Sequence, residues 1–76
     1  MSEQYTVEIH TDYIQLDQAL KLAGIIATGG QVKPLVEEGL VMVNGQACDE
    51  KRKKLYPQDV VALEGFGTLT ILKEEA

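Results

Sequence analysis

The sequence predicts an α+β fold: two short helices packed on one side of a small, mostly antiparallel sheet of about four to five strands. Three observations predict it. An alternating run opens the chain, two stretches of helical period follow and each ends at a glycine, and then β-branched runs are joined by tight-turn dipeptides. The chain has 76 residues, enough for one domain, 1–76, with one modest core and no room for a second.

Each element has its own reason. Met1–Gln4 is polar and expected to fray. In Tyr5–His10, Tyr5, Val7 and Ile9 fall on one side and Thr6, Glu8 and His10 on the other, the period of a half-buried strand. Thr11 and Asp12 break it. Leu16, Ala19, Leu20 and Ala23 then recur at helical spacing, with Asp17 in the first turn, where negative charge suits the helix dipole. Gly24 follows as the expected left-handed residue past the helix end, so the spacing predicts a helix over about 16–23.

Thr28 and Gln31 form the S/T-x-x-E/Q capping box, and Val32, Leu35 and Val36 supply the apolar stripe of a second helix that Gly39 stops. Gly29 and Gly30 are poor helix formers, at about 1 kcal/mol each relative to alanine. Pro34 reads as lying past the first turn, where it removes a backbone bond. A short, kinked or late-starting helix is expected. Leu40–Val43 runs into Asn44-Gly45, a dipeptide suited to a two-residue hairpin turn, so Gln46–Cys48 should pair back on it. Asp49–Lys54 is a charged segment. Tyr56-Pro57-Gln58-Asp59 reads as a β-turn, Val60–Leu63 as a strand, Gly65-Phe66-Gly67 as a tight connection, Thr68–Leu72 as the last strand and Lys73–Ala76 as a polar tail.

The composition, 45% hydrophobic and 25% charged, is that of a globular chain. The net charge of −5 speaks against a nucleic-acid binder, but it averages two unlike parts. Residues 21–54 hold six cations against four carboxylates, a net of +2, and the remainder holds one cation against eight carboxylates, a net of −7. Such asymmetry points to a side that faces a polyanion. The single cysteine, Cys48, allows no internal disulfide and sits beside Asp49 and Glu50, which disfavour a thiolate. No signal-peptide pattern and no apolar run of membrane-spanning length occur, so a reducing, cytoplasmic setting is expected.

Catalytic chemistry finds little support. One histidine and one cysteine lie far apart, and no nucleophile elbow, phosphate-binding loop or zinc-protease motif occurs. His10 reads as a solvated surface side chain. The adjacent pairs Glu37-Glu38 and Asp49-Glu50 are poorly placed to converge on an ion, so no metal and no cofactor are expected. The run Lys51-Arg52-Lys53-Lys54 is different. Four consecutive cations repel one another unless something anionic faces them. The run is either a solvated loop or, with Lys21 and Lys33 on the exposed helix faces, part of a surface for phosphates. Tyr56 is the sole aromatic near it, so a base-stacking platform is not expected; shape and phosphate recognition of folded RNA suits the pattern better.

Leu16-Asp17, Gly24, Thr28-x-x-x-Val32-x-x-Leu35-Val36-x-x-Gly39-x-Val41-x-Val43-Asn44-Gly45 and Pro57-x-Asp59-x-Val61 together resemble the αL RNA-binding motif. A small-subunit ribosomal protein of the S-four type, bacterial tyrosyl-tRNA synthetases and pseudouridine synthases share it. The resemblance covers about residues 14–63, and the small size is similar to the stand-alone YaaA/YbcJ-like members. It implies a non-catalytic protein that grips structured RNA, ribosomal RNA or a ribosome-assembly intermediate, with its two helices and the following hairpin. It implies an RNA-facing second helix carrying Lys33 and opened by Thr28. The RNA-binding residues expected are therefore Lys21, Thr28, Lys33, Lys51, Arg52, Lys53 and Lys54. The sequence departs from the motif at Gln15 and Gly29, where the family often has arginine, and at Gln58, where it often has glycine. The last suggests a type I turn, which needs no positive φ.

Partners expected are structured RNA and the ribosomal particle, with no membrane and a monomeric chain. The alternative is a protein-interaction module that turns its acidic part toward a basic partner. A sulfur-carrier-like β-grasp protein shares Val43-Asn44-Gly45 and the Pro57-x-Asp59 turn, but such carriers end in Gly-Gly, and this sequence ends Glu74-Glu75-Ala76.

Overall fold

A computed structural model describes residues 3–74. Strand β1 spans Glu3–Ile9, β2 Ile14–Gln15, helix α1 Leu16–Leu22, a 3₁₀ turn Gly29–Gln31, α2 Val32–Glu37, β3 Val41–Val43, β4 Gln46–Ala47, β5 Lys54–Leu55, β6 Val60–Leu63 and β7 Gly67–Lys73. The main sheet has the order β1-β7-β6-β3-β4, and β2 with β5 forms a separate two-stranded ribbon. The fold is the α+β class expected: β7, β6, β3 and β4 pair antiparallel with their neighbours, while β1 lies parallel to β7. A parallel pair needs a long crossover, and everything between residues 10 and 66 supplies it.

One face of the sheet is buried. Val7 and Ile9 of β1, Val41 and Val43 of β3, Val61 and Leu63 of β6, and Leu69 and Ile71 of β7 point to it. Against them pack Leu16, Ala19 and Leu20 of α1, Val32 and Val36 of α2, and Ile26, Cys48 and Leu55. Each fully buried leucine or isoleucine contributes about 1.5–3 kcal/mol. The opposite face, with Thr6, Glu8, Met42, Val60, Ala62 and Leu72, is open to solvent.

Both helices end in the same way. Past α1, the Gly24 N–H donates to the Lys21 carbonyl and the Ile25 N–H to that of Leu20; past α2, Gly39 donates to Val36 and Leu40 to Leu35. These are Schellman closures, and in each the apolar residue after the glycine, Ile25 or Leu40, is half-buried. The capping box forms at Thr28 and Gln31, and Gln31 Oε1 accepts from the N–H groups of Ala27 (2.5 Å) and Thr28 (3.1 Å).

Several expectations need correction. Glu3 and Gln4 are not frayed: they extend β1 by pairing with Gly67 and Thr68. Met1 and Ser2 lie outside the described residues. Lys73 likewise belongs to β7 rather than to a tail, and its ammonium lies 3.2 Å from the Thr11 carbonyl; Glu75 and Ala76 lie outside the described residues. The second helix starts late, as expected, with a 3₁₀ turn over Gly29–Gln31 that runs directly into α2, of which Pro34 is the third residue. Thr28 is the extended cap and Gly29–Val32 are already helical, so the proline lies past the first turn of the helical stretch, as expected, where another residue would offer an N–H to the Gly30 carbonyl.

The turn at Tyr56–Asp59 is not type I. Gln58 has φ +79°, the type II geometry that usually calls for glycine. The cause is non-local: the Gln58 N–H donates to the Ile71 carbonyl (2.6 Å). Flipping the central peptide to type I would turn that N–H away.

Tyr5 donates to Glu3 Oε2 (3.0 Å). That bond, with lesser contributions from burial and the Glu3 charge, holds its phenol above the usual tyrosine value.

Candidate nucleic-acid interface

The charged segment after β4 is anchored before it is exposed. Cys48 is buried and unpaired. Its N–H continues the hairpin ladder to the Val41 carbonyl (2.9 Å), and its thiol donates to the Glu50 carbonyl (3.2 Å). The same carbonyl accepts from the Lys53 N–H (3.4 Å), closing a turn over Glu50–Lys53. Lys51 and Arg52 occupy the two central positions of that turn and are exposed. Lys53 is half-buried, and its carbonyl accepts the Leu16 N–H (2.8 Å) at the start of α1. The last cation of the run, Lys54, enters β5 opposite Gln15 of β2. The segment read as one charged loop is therefore a turn followed by a strand.

Lys33 and Lys51 come together: with Val36, Glu37 and Asp49 they line a shallow depression between α2 and the Glu50–Lys53 turn. Two carboxylates share that depression, and Lys33 Nζ lies 4.0 Å from Glu37 Oε1. Both side chains are largely exposed, so this pair is worth a few tenths of a kcal/mol at most and readily yields to a stronger anion. Lys21 projects from the last turn of α1. Among the described residues, no hydrogen bond or ion pair joins its side chain to the basic run. Thr28 caps the 3₁₀ turn ahead of α2.

The pairing of β2 with β5 adds a residue that sequence reasoning missed. Tyr13 precedes Ile14 and Tyr56 follows Leu55, so the Ile14–Leu55 pair places the tyrosines at the next position of the ribbon. Their ring centroids are 6.0 Å apart at 48°. Lys54, diagonal to Tyr13, has its ammonium 4.9 Å from the Tyr13 ring centroid. The basic run therefore has two aromatic neighbours. Two-residue strands carry no periodicity, so nothing in the sequence tied Tyr13 to residues some forty positions later.

His10 is a surface side chain, 84% exposed and 3.8 Å from Glu74. Among the described residues, no group of three or more metal-ligating side chains gathers, and no helix is long and apolar enough to cross a membrane.

Residues 7–72 match the S4 domain family, a wider span than the motif residues alone. A protein of Bacillus subtilis (strain 168) named "Probable ribosome maturation protein RlbA" is 41% identical over 66 residues, which cover 87% of this chain and 93% of that protein.

Proposed function

The chain belongs to the S4 domain family, and from that premise we infer that it is a non-catalytic binder of structured RNA, with ribosomal RNA or a ribosome-assembly intermediate as its target. The relative's name, which carries ribosome maturation, supports that target. The observation that carries the reading is the meeting of Lys33 and Lys51 in one depression beside the exposed Lys51–Arg52 tip. Phosphates there would displace Glu37 from Lys33. Lys21, Thr28, Lys53 and Lys54 would extend the contact to either side.

About four phosphate contacts give a log–log salt slope near −3. The test is titration of a folded ribosomal RNA fragment at several salt concentrations. Replacing both Lys51 and Arg52 by glutamate should weaken binding at least tenfold at low salt and flatten the slope by about two. Equal binding by parent and variant would remove these residues from the site.

One observation favours a second reading, a protein-interaction module. The outward residues of β1, β3, β6 and β7 include Glu8 and the apolar Met42, Val60 and Leu72, but no lysine or arginine. Recovery of a basic protein partner from nuclease-treated lysate, with no RNA enriched after crosslinking, would favour it.

A further inference from the structure

We propose that the β2–β5 ribbon is a nucleobase-binding site that takes one unpaired nucleotide from the RNA, stacked on Tyr56 with its phosphate near Lys54. The inference rests on the RNA-binding reading and specifies what part of an RNA this surface would prefer.

The ribbon has an inner and an outer face. Leu55 is fully buried and Ile14 half-buried, and together they anchor it to the core. Alternation then puts Tyr13 and Gln15 of one strand, and Lys54 and Tyr56 of the other, on the outer face. Both tyrosines keep a substantial open surface, 38% for Tyr13 and 49% for Tyr56. Exposed aromatic rings beside cations suit bases, because every base offers a π-face and stacking tolerates any sequence.

The geometry is set before a ligand arrives. The Tyr56 N–H donates to Asp59 Oδ2 (2.8 Å) and the Asp59 N–H to the Tyr56 carbonyl (2.9 Å), which fixes the Tyr56 backbone on both sides. Tyr13 packs against the Tyr56 ring and holds the Lys54 ammonium over its own. A cation held in this way loses less freedom on meeting a phosphate. Gln15 adds an amide that can both donate to and accept from a base edge. In a fully paired helix the bases are stacked on one another and their faces are closed; a bulged or loop nucleotide is not so constrained.

The test compares two RNA hairpins, one fully paired and one with a single bulged adenosine. The chain has three tyrosines and no tryptophan, so its intrinsic emission is tyrosine emission and reports stacking. The bulged probe should bind about tenfold more tightly than the paired one, and quench the emission. Tyr56→Ala should abolish that preference while leaving the salt slope unchanged; Tyr56→Phe should retain it, and Tyr13→Ala should reduce it. Both side chains are exposed, and a thermal melt verifies that each variant is folded. If Tyr56→Ala and Tyr13→Ala keep the preference while the Lys51/Arg52 double variant loses binding, the nucleobase site is wrong and the RNA-binding reading stands. If adenosine monophosphate alone quenches as strongly as the bulged hairpin, the site takes free nucleotide and the inference fails. If the parent binds neither hairpin at low salt, both readings fail.

Discussion

Gln58 is a residue in a conformation that its type resists. A non-glycine side chain at positive φ costs about 1–2 kcal/mol, and here the cost is offset by the bonds of the turn to Ile71 and Tyr56. Gln58→Gly should relieve the strain, partly offset by glycine's greater freedom when unfolded. The expected net gain is about 0.5–1 kcal/mol, a rise in Tm of several degrees, read by thermal unfolding; a fall would mean that the side chain makes an interaction of its own. Gly67 is the opposite case. A Cβ there would overlap the Glu3 backbone across the parallel pair, at φ +137°. Gly67→Ala should therefore cost roughly 2–4 kcal/mol, read in a denaturant titration. Asn44-Gly45 was legible in the sequence because a two-residue hairpin turn demands positive φ at both positions, and they have +52° and +84°. Gln58 was not, because its turn type is decided by a carbonyl thirteen residues away. Nor was the side chain of Asn44, which accepts from the Val60 N–H (2.9 Å) and donates to Asp59 Oδ1 (3.0 Å).

At the scale of elements, what repeats within a segment was readable and what joins distant segments was not. The helical period and stop glycines located α1 within a residue, and the alternation located the inner face of β1. The 3₁₀ turn was half visible: two glycines said that the second helix starts late, but not that a 3₁₀ turn would run straight into α2 just ahead of Pro34. The place of the proline is testable. Pro34→Ala should raise stability, because alanine offers an N–H to the Gly30 carbonyl, but by less than the ~3 kcal/mol of an interior helical proline, because alanine is freer in the unfolded chain; chemical denaturation reads it. A fall in stability would mean that the 3₁₀ turn already accommodates the proline. The β2–β5 ribbon lay beyond sequence reading altogether, and with it half of the aromatic pair beside the basic run.

For the whole molecule, the charge pattern translated from sequence to space only in part. Lys33 and Lys51 do line one depression, and the backbone of Lys53 and Lys54 joins α1 and β2, but Glu37 and Asp49 line that depression too. A net charge per segment cannot show which carboxylates fold in beside the cations. The sheet order carries its own prediction. Because β1 pairs with β7 and with no other strand of the main sheet, a chain ending at residue 66 loses two strands from that sheet, not one. It should show no cooperative thermal transition by circular dichroism, where the parent shows one.

The same pairing sets a timetable. At roughly 5–20 residues per second of synthesis, β1 exists for several seconds before β7 is made, while the helices and the β3–β4 hairpin can already form from neighbouring residues. Pairing across more than sixty positions is also intrinsically slow. During that wait Tyr5, Val7 and Ile9 are a strand-forming run without a partner, open to pairing with the wrong chain. Glu3 and Glu8 bracket the middle of that run, and charges so placed discourage strand-to-strand aggregation. Two carboxylates of the acidic excess thus lie where they oppose mispairing of β1 until β7 is made.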